Sequence, residues 1–256
     1  MIDTTWFRGR TALVTGAGSG IGYETALALG NAGAFVGVHY CRNRNGADSV
    51  RERIEAAGGR AVLVQADLSR SDQVERIFAE LVAATDGRLD MLVNNAGDWM
   101  DKAPIVDCPE AQWDRMLDVN AKSAFLCCQQ AARRMIQQGA GAIVNIGSVA
   151  GHTGGGGGTV PYAAAKAAVH TLTRGLAREL APHGIRVNAV APGMVDTPML
   201  EGRVSPEAAE KLKALTPLGR MAEPSEIAAV VLMLLSPGCS FMTGEIVEVN
   251  GGLLMR

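Results

Sequence analysis

Two spacings of apolar residues alternate along this chain. Short runs rich in Val, Ile, Leu and Ala predict seven buried strands, near residues 11–15, 34–40, 61–65, 89–93, 142–146, 185–191 and 246–249. Between these runs apolar residues recur every three or four positions, which predicts helices near residues 23–33, 48–57, 71–81, 113–138, 162–181 and 224–235. Strands that alternate with helices form a parallel sheet with helices on both faces. We therefore expect a doubly wound α/β fold, with residues 1–256 as a single domain.

Composition and charge narrow the class of protein. The chain has 256 residues, of which 48% are hydrophobic and 20% charged, and this suits a globular α/β protein with a large core. A formal charge of −2 gives no electrostatic reason to expect a nucleic acid or an acidic membrane as a partner. The longest apolar run, residues 228–235, is far shorter than the roughly 20 residues of a membrane span, so no membrane segment is expected.

The N-terminus and the cysteines bear on the compartment. Residues 1–6 lack the basic start and apolar core of a signal peptide. The five cysteines form no Cys-x-x-Cys pair, and the four histidines show no ligand spacing with them. We therefore expect reduced thiols, no metal site and a cytoplasmic location.

A glycine-rich loop lies between the first predicted strand and the first predicted helix. Its sequence is Gly16-Ala17-Gly18-Ser19-Gly20-Ile21-Gly22. Glycines allow a tight turn and a close approach of the backbone to a pyrophosphate, and the helix N-terminus that follows offers N–H groups to the anion. We expect a dinucleotide to bind here, held by Gly16, Ser19, Gly20, Ile21 and Gly22. The alternative is an ordinary glycine-rich turn.

The end of the second predicted strand bears on the choice of cofactor. In doubly wound sheets the residue at this place meets the adenosine ribose, and an acidic residue there favours NAD. Here Tyr40 occupies it, followed by Arg42 and Arg44. No carboxylate would repel a 2′-phosphate and two guanidinium groups could bind it, so we expect NADP, with NAD as the alternative. On that alternative both arginines are solvated loop charges; Ser19 also stands where NADP users often carry a basic residue.

A hydroxyl, a phenol and an ammonium group fall within one short segment. Ser148 follows the fifth predicted strand, and Tyr162 and Lys166 are four residues apart, so they share one face of a helix. A Tyr-x-x-x-Lys pair taken alone is more often a surface pair. The glycines at 154–158 lie between Ser148 and Tyr162, and we expect them to form a mobile lip over a pocket.

Together and in this order, the motifs resemble the single-domain branch of the short-chain dehydrogenase/reductase family over essentially the whole chain. The matching segments are Thr15-Gly16-x-x-x-Gly20-x-Gly22, Asp67, Asn94-Asn95-Ala96-Gly97, Asn120, Ser148, Tyr162 with Lys166, Pro192-Gly193 with Thr197, Phe241-x-Thr243-Gly244 and Gly251-Gly252. The chain departs from the family in one respect, because Ser148 and Tyr162 are about one residue further apart than is usual. The resemblance implies a Rossmann-like, seven-stranded parallel sheet. It also implies an oxidoreductase that transfers a hydride between NADP(H) and a carbonyl or secondary alcohol.

The resemblance gives each catalytic residue a role. Tyr162 would be the acid/base and Lys166 would lower its pKa, while Ser148 would orient the substrate oxygen. Asn120 would support a proton relay. A free tyrosine has a pKa of about 10, and one ammonium group at ~4 Å supplies roughly the 4 kcal/mol needed to lower it by ~3 units. The resemblance also implies cofactor contacts at Asp67, Leu68, Asn94, Ala96, Gly97, Tyr162, Lys166, Pro192, Gly193, Val195 and Thr197.

The sequence leaves the substrate open. Similar family members are 3-oxoacyl-acyl-carrier-protein reductases and glucose or sugar dehydrogenases, which implies a small-molecule or acyl-thioester substrate and, as is usual in the family, a homotetramer. Trp99, Met100, His152 and residues 194–216 either contact the substrate or belong to ordinary loops. The alternatives are a catalytically silent dinucleotide-binding regulatory protein, an NAD-dependent sugar or alcohol dehydrogenase, and an epimerase or dehydratase. The last usually needs a longer chain.

Overall fold

A computed structural model describes residues 4–99, 102–201 and 203–255. Within them, seven strands form one parallel sheet in the order β3-β2-β1-β4-β5-β6-β7. The strands are β1 Thr11–Val14, β2 Phe35–Tyr40, β3 Arg60–Gln65, β4 Met91–Asn94, β5 Gly141–Ile146, β6 Ile185–Pro192 and β7 Ile246–Val249. All seven predicted strands are confirmed, with ends that differ from the prediction by up to two residues.

Helices connect successive strands across both faces of this sheet. They are α1 Gly20–Asn31, α2 Arg44–Ala56, α3 Ser71–Ala83, α4 Glu110–Leu117, α5 Ser123–Gln138, α6 Ala150–Thr153, α7 Val160–Leu180, α8 Pro206–Leu215 and α9 Pro224–Leu235. Two buried apolar clusters lie on opposite faces of the sheet. One involves α1, α2 and α9, and the other involves α3, α5 and α7. The doubly wound, Rossmann-like fold is thereby confirmed.

Helical segments differ from the prediction in several places: α1 begins at Gly20 rather than 23, and the short α6 was not predicted. The helix expected from 113 to 138 begins at Glu110 and is interrupted by a π-helical turn, Asp118–Lys122. Helix α2 begins at Arg44 rather than 48, because the Asn43 side chain caps it by accepting a hydrogen bond from the Gly46 N–H. Helix α8 was not predicted, although a Ser205 N-cap and a proline in its first turn mark its start.

The strand order reverses between β1 and β4, which are neighbours in space but not in sequence. Ligands of open α/β sheets bind in the crevice outside the carboxyl ends of the strands at such a switch point. The glycine loop follows β1 and the Asn94–Gly97 turn follows β4, so the fold brings both to this crevice. Over the part of the chain that the structure describes, no helix has the length and apolar character needed to cross a membrane.

Candidate active site

A cavity of about 330 Å³ opens at the carboxyl edge of the sheet. It is lined by most of the residues that the sequence nominates for cofactor binding and catalysis. They are Gly16, Ser19, Gly20, Ile21, Ala96, Gly97, Asn120, Ser148, Tyr162, Lys166, Pro192, Gly193, Val195 and Thr197. These residues are dispersed over nearly 180 positions of sequence, and the fold gathers them around one space.

The glycine loop has the geometry of an anion site. Helix α1 begins at Gly20, and the Ser19 side chain makes no capping hydrogen bond to its first turn, so these N–H groups face the cavity without a side-chain acceptor. A Cβ on Gly22 would lie 2.4 Å from the Gly16 carbonyl oxygen and from Asn95 Nδ2. The backbone therefore packs as closely here as a dinucleotide loop requires, and the loop fits a pyrophosphate.

His39, on β2, hydrogen-bonds the start of the glycine loop, and the sequence did not predict this contact. Its Nδ1 accepts a hydrogen bond from the Gly16 N–H at 3.0 Å, and its Nε2 lies 3.1 Å from the Ala66 carbonyl oxygen. The ring is therefore neutral, with its proton on Nε2. Burial lowers the pKa of His39 to about 4. Only the packing of β2 against the loop reveals this role.

The pKa of His39 predicts acid sensitivity of the fold. Because it falls from 6.5 to about 4 on folding, this histidine stabilises the native state fully above pH ~6.5 and loses its contribution as pH falls toward 4. At ~1.4 kcal/mol per pH unit the total loss is roughly 3 kcal/mol. Urea unfolding at pH 7.5 and pH 4.5 should show most of this difference.

His39→Asn is the matched variant, since its amide oxygen can replace Nδ1 as the acceptor but does not titrate. We expect a lower stability at pH 7.5 and a smaller loss on acidification. The exposed His183 provides the control, because His183→Gln should keep the pH dependence of the unaltered protein. An equal loss in His39→Asn and the unaltered protein would contradict the assignment.

Asn95, rather than Asn94, faces the cavity. Its Nδ2 donates to the carbonyl oxygens of Thr15 and Gly16 at 2.9 and 3.1 Å, which ties the end of β4 to the glycine loop. The side chain of Asn94 turns beneath the site and donates to Asn145 Oδ1 at 2.9 Å, so Asn94 is not among the cavity-lining residues. Successive side chains of a strand point to opposite faces, and the chain leaves β4 with Asn95 on the cavity side.

The four side chains nominated for catalysis come from three elements. Tyr162 and Lys166 lie on α7, Ser148 follows β5, and Asn120 lies in the π-helical turn. Lys166 Nζ lies 5.7 Å from the centre of the Tyr162 ring and donates to the Ile146 carbonyl oxygen at 2.8 Å. The Ser148 hydroxyl hydrogen-bonds the Tyr162 phenol. The extra residue between Ser148 and Tyr162 therefore does not separate them.

The protein alone does not lower the pKa of Tyr162. Burial raises it, a hydrogen bond from Ser148 lowers it, and the negative charge of Asp98 raises it, with a net upward shift. Burial also lowers the pKa of Lys166 to about 8. Ionisation of the phenol therefore needs more positive charge than Lys166 supplies in the structure, and an oxidised nicotinamide ring would add it when bound.

The π-helical turn gives Asn120 a fixed position behind Gly97. Its Nδ2 donates to the carbonyl oxygens of Asp98 and Met116 at 2.8 and 3.0 Å, and its Oδ1 accepts from the Asp98 N–H at 3.2 Å. A Cβ on Gly97 would lie 2.6 Å from Asn120 Oδ1 and 3.4 Å from Lys166 Nζ. A glycine is needed here so that the backbone can pass between these side chains.

The residues nominated for the adenosine end lie outside this cavity, at the ends of β2 and β3. Asp67 accepts hydrogen bonds from the N–H and hydroxyl of Ser69, which lower its pKa together with the nearby charges of Arg115 and Arg42. Leu68, beside it, is buried. The other residues nominated for the adenosine end are Tyr40, which is the last residue of β2, and Arg42, which follows it.

Arg44 and Arg42 differ in their environment. Arg44 starts α2, forms an ion pair with Asp48 at 2.7 Å and donates to the Tyr40 hydroxyl at 3.1 Å. The alternative in which both arginines are solvated loop charges does not describe Arg44, because the Asn43 cap extends helix α2 to it. Arg42 is exposed beside this cap and is the better candidate for a phosphate contact.

The cavity wall is mainly apolar. Residues not nominated for the site complete it, namely Asn95, Ile146, Gly147, Val149, Ala150, Thr159, Met194, Met199 and Leu200, together with Trp99. The Trp99 ring centre lies 6.4 Å from that of Tyr162. Arg203, beyond Leu200, forms an ion pair with Asp98 at 2.6 Å, which joins two walls of the cavity. Met100 lies outside the described residues.

The glycine run and His152 lie at the edge of the site. Gly154–Gly157 are exposed, and Thr159 exchanges hydrogen bonds with the Gly156 backbone at 2.8 and 3.0 Å. Exposure agrees with a lip, while its mobility stays a prediction. His152 is not among the cavity-lining residues, and its Nε2 lies 2.9 Å from Glu248 Oε1.

A glycine-rich loop at a switch point, beside a buried serine and lysine and a half-buried tyrosine, is typical of a nicotinamide-dependent oxidoreductase. Residues 16–254 match the sequence family described as "Enoyl-(Acyl carrier protein) reductase". The chain belongs to the short-chain dehydrogenase/reductase family.

Known proteins similar to this chain include two curated enzymes. It is 40% identical over 246 residues to the 3-oxoacyl-[acyl-carrier-protein] reductase FabG of Staphylococcus aureus, covering 96% of this chain and 98% of that protein. It is 41% identical to the cis-4-hydroxycyclohexanecarboxylate dehydrogenase of Sinomonas cyclohexanicum, covering 96% and 97%. A crystal structure of a short-chain type dehydrogenase/reductase from Mycobacterium marinum superposes with a TM-score of 0.93 at 36% identity, covering 99% of each chain.

Proposed function

We propose that this enzyme transfers a hydride between NADP(H) and a carbonyl or secondary alcohol carried on an apolar skeleton. The observation that supports the proposal best is the convergence of Ser148, Tyr162 and Lys166 on the cavity that the glycine loop borders. The nicotinamide, when bound, supplies or accepts the hydride. Residues of this chain hold the substrate oxygen and move its proton.

Each side chain has a defined task in this proposal. Ser148 donates a hydrogen bond to the substrate oxygen and orients it toward the Tyr162 phenol, which gives up its proton in reduction and accepts one in oxidation. Lys166 keeps a positive charge within one helical turn of the phenol, at a pKa of about 8. Asn120 supports the proposed proton relay: its side chain hydrogen-bonds the Asp98 backbone and so fixes residues 97–98 beside Lys166.

The cavity wall favours an apolar substrate body. Trp99, Met194, Met199 and Leu200 offer few partners for the hydroxyl groups of a sugar, which would be buried without hydrogen bonds. The names of two relatives, a 3-oxoacyl-thioester reductase and a cyclohexanecarboxylate dehydrogenase, agree with such a skeleton. We therefore prefer β-ketoacyl thioesters and cyclic ketones to sugars as candidate substrates.

A panel of β-ketoacyl thioesters, cyclic ketones, quinones and sugars tests this proposal. Each compound is assayed with NADPH and NADH, and each corresponding alcohol with NADP and NAD. We expect the highest kcat/KM with a ketone on an apolar skeleton. Turnover of sugars alone would support the NAD-dependent sugar dehydrogenase instead, and cofactor binding without any turnover would support the silent regulatory protein.

Arg42 provides the test of cofactor preference. Because Arg42 is exposed next to the α2 cap and close enough to Asp67 to affect its pKa, we expect it to bind the 2′-phosphate. Arg42→Ala should weaken NADPH binding about ten- to a hundred-fold and leave NADH binding unchanged, as measured by titration calorimetry. Arg51→Ala is the control, since Arg51 pairs with Asp48 on α2. Equal NADPH affinity in Arg42→Ala and the unaltered enzyme would contradict the assignment.

We further propose that residues 1–256 act as one domain and assemble as a homotetramer through α4, α5 and α7. Three large apolar side chains on these helices, Trp113, Phe125 and Ile136, expose 37%, 47% and 40% of their surface, and a second copy of the chain could cover them. Light scattering should give a mass near four times 26.7 kDa. A monomer at micromolar concentration would refute this assembly.

A further inference from the structure

A pair of histidine rings in contact lies beside the segment that carries Ser148. The ring centres of His152, from α6, and His170, from α7, are 4.2 Å apart. His152 Nε2 is 2.9 Å from Glu248 Oε1 on β7, and His170 is 2% exposed. The mechanism proposed above uses none of these three residues.

His170 contacts the backbone that carries Ser148. Its Nε2 accepts a hydrogen bond from the Ser148 N–H at 3.4 Å. The ring also fills the space next to Gly147 and Gly151, where a Cβ would lie 2.3 Å from Nε2 and 2.7 Å from Cε1 respectively. Residues 147–151, which run from the end of β5 into α6, therefore pack closely against this imidazole.

We infer that neutral His170 is a positioning residue for Ser148 and that its protonation releases the serine. An imidazole whose Nε2 accepts a hydrogen bond must carry its proton on Nδ1 only. A second proton would turn the acceptor into a donor that faces the Ser148 N–H. The hydrogen bond would then be replaced by a repulsive contact, and the Ser148 backbone would move. This inference rests on the role proposed for Ser148.

The charges around the pair determine which ring is protonated first. Among the described residues, the titratable groups next to His170 are His152 on α6, Lys166 one turn earlier on α7, and Glu248 on β7, reached through His152. Glu248 favours the cationic form of His152. Cationic His152 and Lys166 both oppose a second positive charge on His170. Protonation of His170 would therefore place another positive charge beside these two groups.

Two substitutions should differ in their effect on the acidic limb of the pH profile, which is the fall in kcat at low pH. In His170→Gln, the amide oxygen takes the place of Nε2 as the acceptor and does not titrate. In His152→Gln, the bond to Glu248 is kept but the opposing cation is lost, so His170 protonates more readily. With acetoacetyl-coenzyme A and NADPH, we expect kcat of the unaltered enzyme to fall below about pH 6. We expect His170→Gln to lose this fall in activity, with a kcat at pH 7.5 within about three-fold of that of the unaltered enzyme. We expect His152→Gln to move the midpoint of the fall upward by about half a pH unit or more.

His170→Leu distinguishes positioning from simple packing. It keeps an apolar volume but has no acceptor, so kcat should fall at least ten-fold at every pH while the Kd for NADPH stays within about two-fold. His183→Gln, at the exposed end of α7, should behave as the unaltered enzyme. An acidic limb in His170→Gln identical to that of the unaltered enzyme would overturn the inference, even if His170→Leu fails to fold.

Amide hydrogen exchange tests the same inference without turnover. After correction for the intrinsic pH dependence, exchange in residues 147–153 of the unaltered protein should speed up at least five-fold between pH 7.5 and 5.5. His170→Gln should abolish this increase. If acetoacetyl-coenzyme A is not reduced but the exchange follows this pattern, the proposed substrate class fails and the positioning role stands. Exchange that does not differ between the two proteins overturns the role.

Discussion

Replacing Tyr162 with phenylalanine will abolish turnover and leave cofactor binding intact. The substitution removes only the hydroxyl that shares a hydrogen bond with Ser148 and that would exchange a proton with the substrate oxygen. General acid–base catalysis contributes about 10²- to 10⁴-fold, so we expect kcat to fall at least about a hundred-fold on any substrate found in the panel. NADPH binding, measured by fluorescence titration, should change less than about three-fold.

Tyr23→Phe is the matched control. The Tyr23 hydroxyl lies 3.0 Å from Ser49 Oγ and accepts a hydrogen bond from Arg53 between α1 and α2, away from the cavity. Its loss should leave kcat unchanged and affect only stability. If Tyr162→Phe kept more than about a tenth of the activity, a different group would have to be the acid/base.

Titration of the Tyr162 phenol should respond to the cofactor. Since burial holds the pKa of the free enzyme's phenol above its ordinary value, a spectroscopic titration of Tyr162 without cofactor should give a pKa above that of a free tyrosine. Bound oxidised cofactor adds positive charge and should lower this pKa. The roles of Tyr162 and Lys166 are thus joint, because Lys166 is itself partly deprotonated near its pKa of about 8.

Gly22→Ala should weaken cofactor binding strongly. An added Cβ would meet the Gly16 carbonyl oxygen and Asn95 Nδ2, each at 2.4 Å, and neither can move without breaking the hydrogen bonds between β4 and the glycine loop. Overpacking of this kind costs about 1–3 kcal/mol in stability. We expect a lower urea midpoint and at least a hundred-fold weaker NADPH binding, because the loop must shift away from its anion-binding shape.

Gly175→Ala tests whether the effect belongs to this position or to any helical glycine. Gly175 is exposed on α7, and a Cβ there meets no atom within 4 Å. Alanine has the higher helix propensity, so this variant should gain about 0.5–1 kcal/mol and bind NADPH normally. Normal NADPH binding by Gly22→Ala would show that the close approach of Gly22 to Gly16 is not needed for the cofactor.

The fold was largely predictable because its signals are local. Seven apolar runs separated by helical spacing define a parallel α/β sheet, and the ends of helix α9 match the prediction because Pro224 can start a helix but not continue one. Helix α8 was missed because a start signal alone does not predict a helix. Its Ser205 and Pro206 are equally clear start signals, but the apolar stripe behind them is weak, and none of its residues is buried.

The candidate site was predictable where chemistry demands a particular residue. A close backbone turn needs glycine, and an acid/base set needs a phenol with a nearby ammonium group, so Gly16–Gly22, Ser148, Tyr162 and Lys166 could be nominated from order and spacing. The choice between Asn94 and Asn95 could not, because adjacent residues with the same side chain differ only in which side of the strand they face.

The amino-acid sequence by itself therefore determined the strand and helix order, and it nominated the glycine loop for cofactor binding and four side chains for catalysis. The tertiary structure decided what surrounds them. His39 meets Gly16, His170 meets Ser148 and Arg44 meets Asp48 through contacts that depend on how β2, α7 and α2 pack. Burial, which sets the pKa values of Tyr162, Lys166 and His39, arises only when distant segments come together and exclude water.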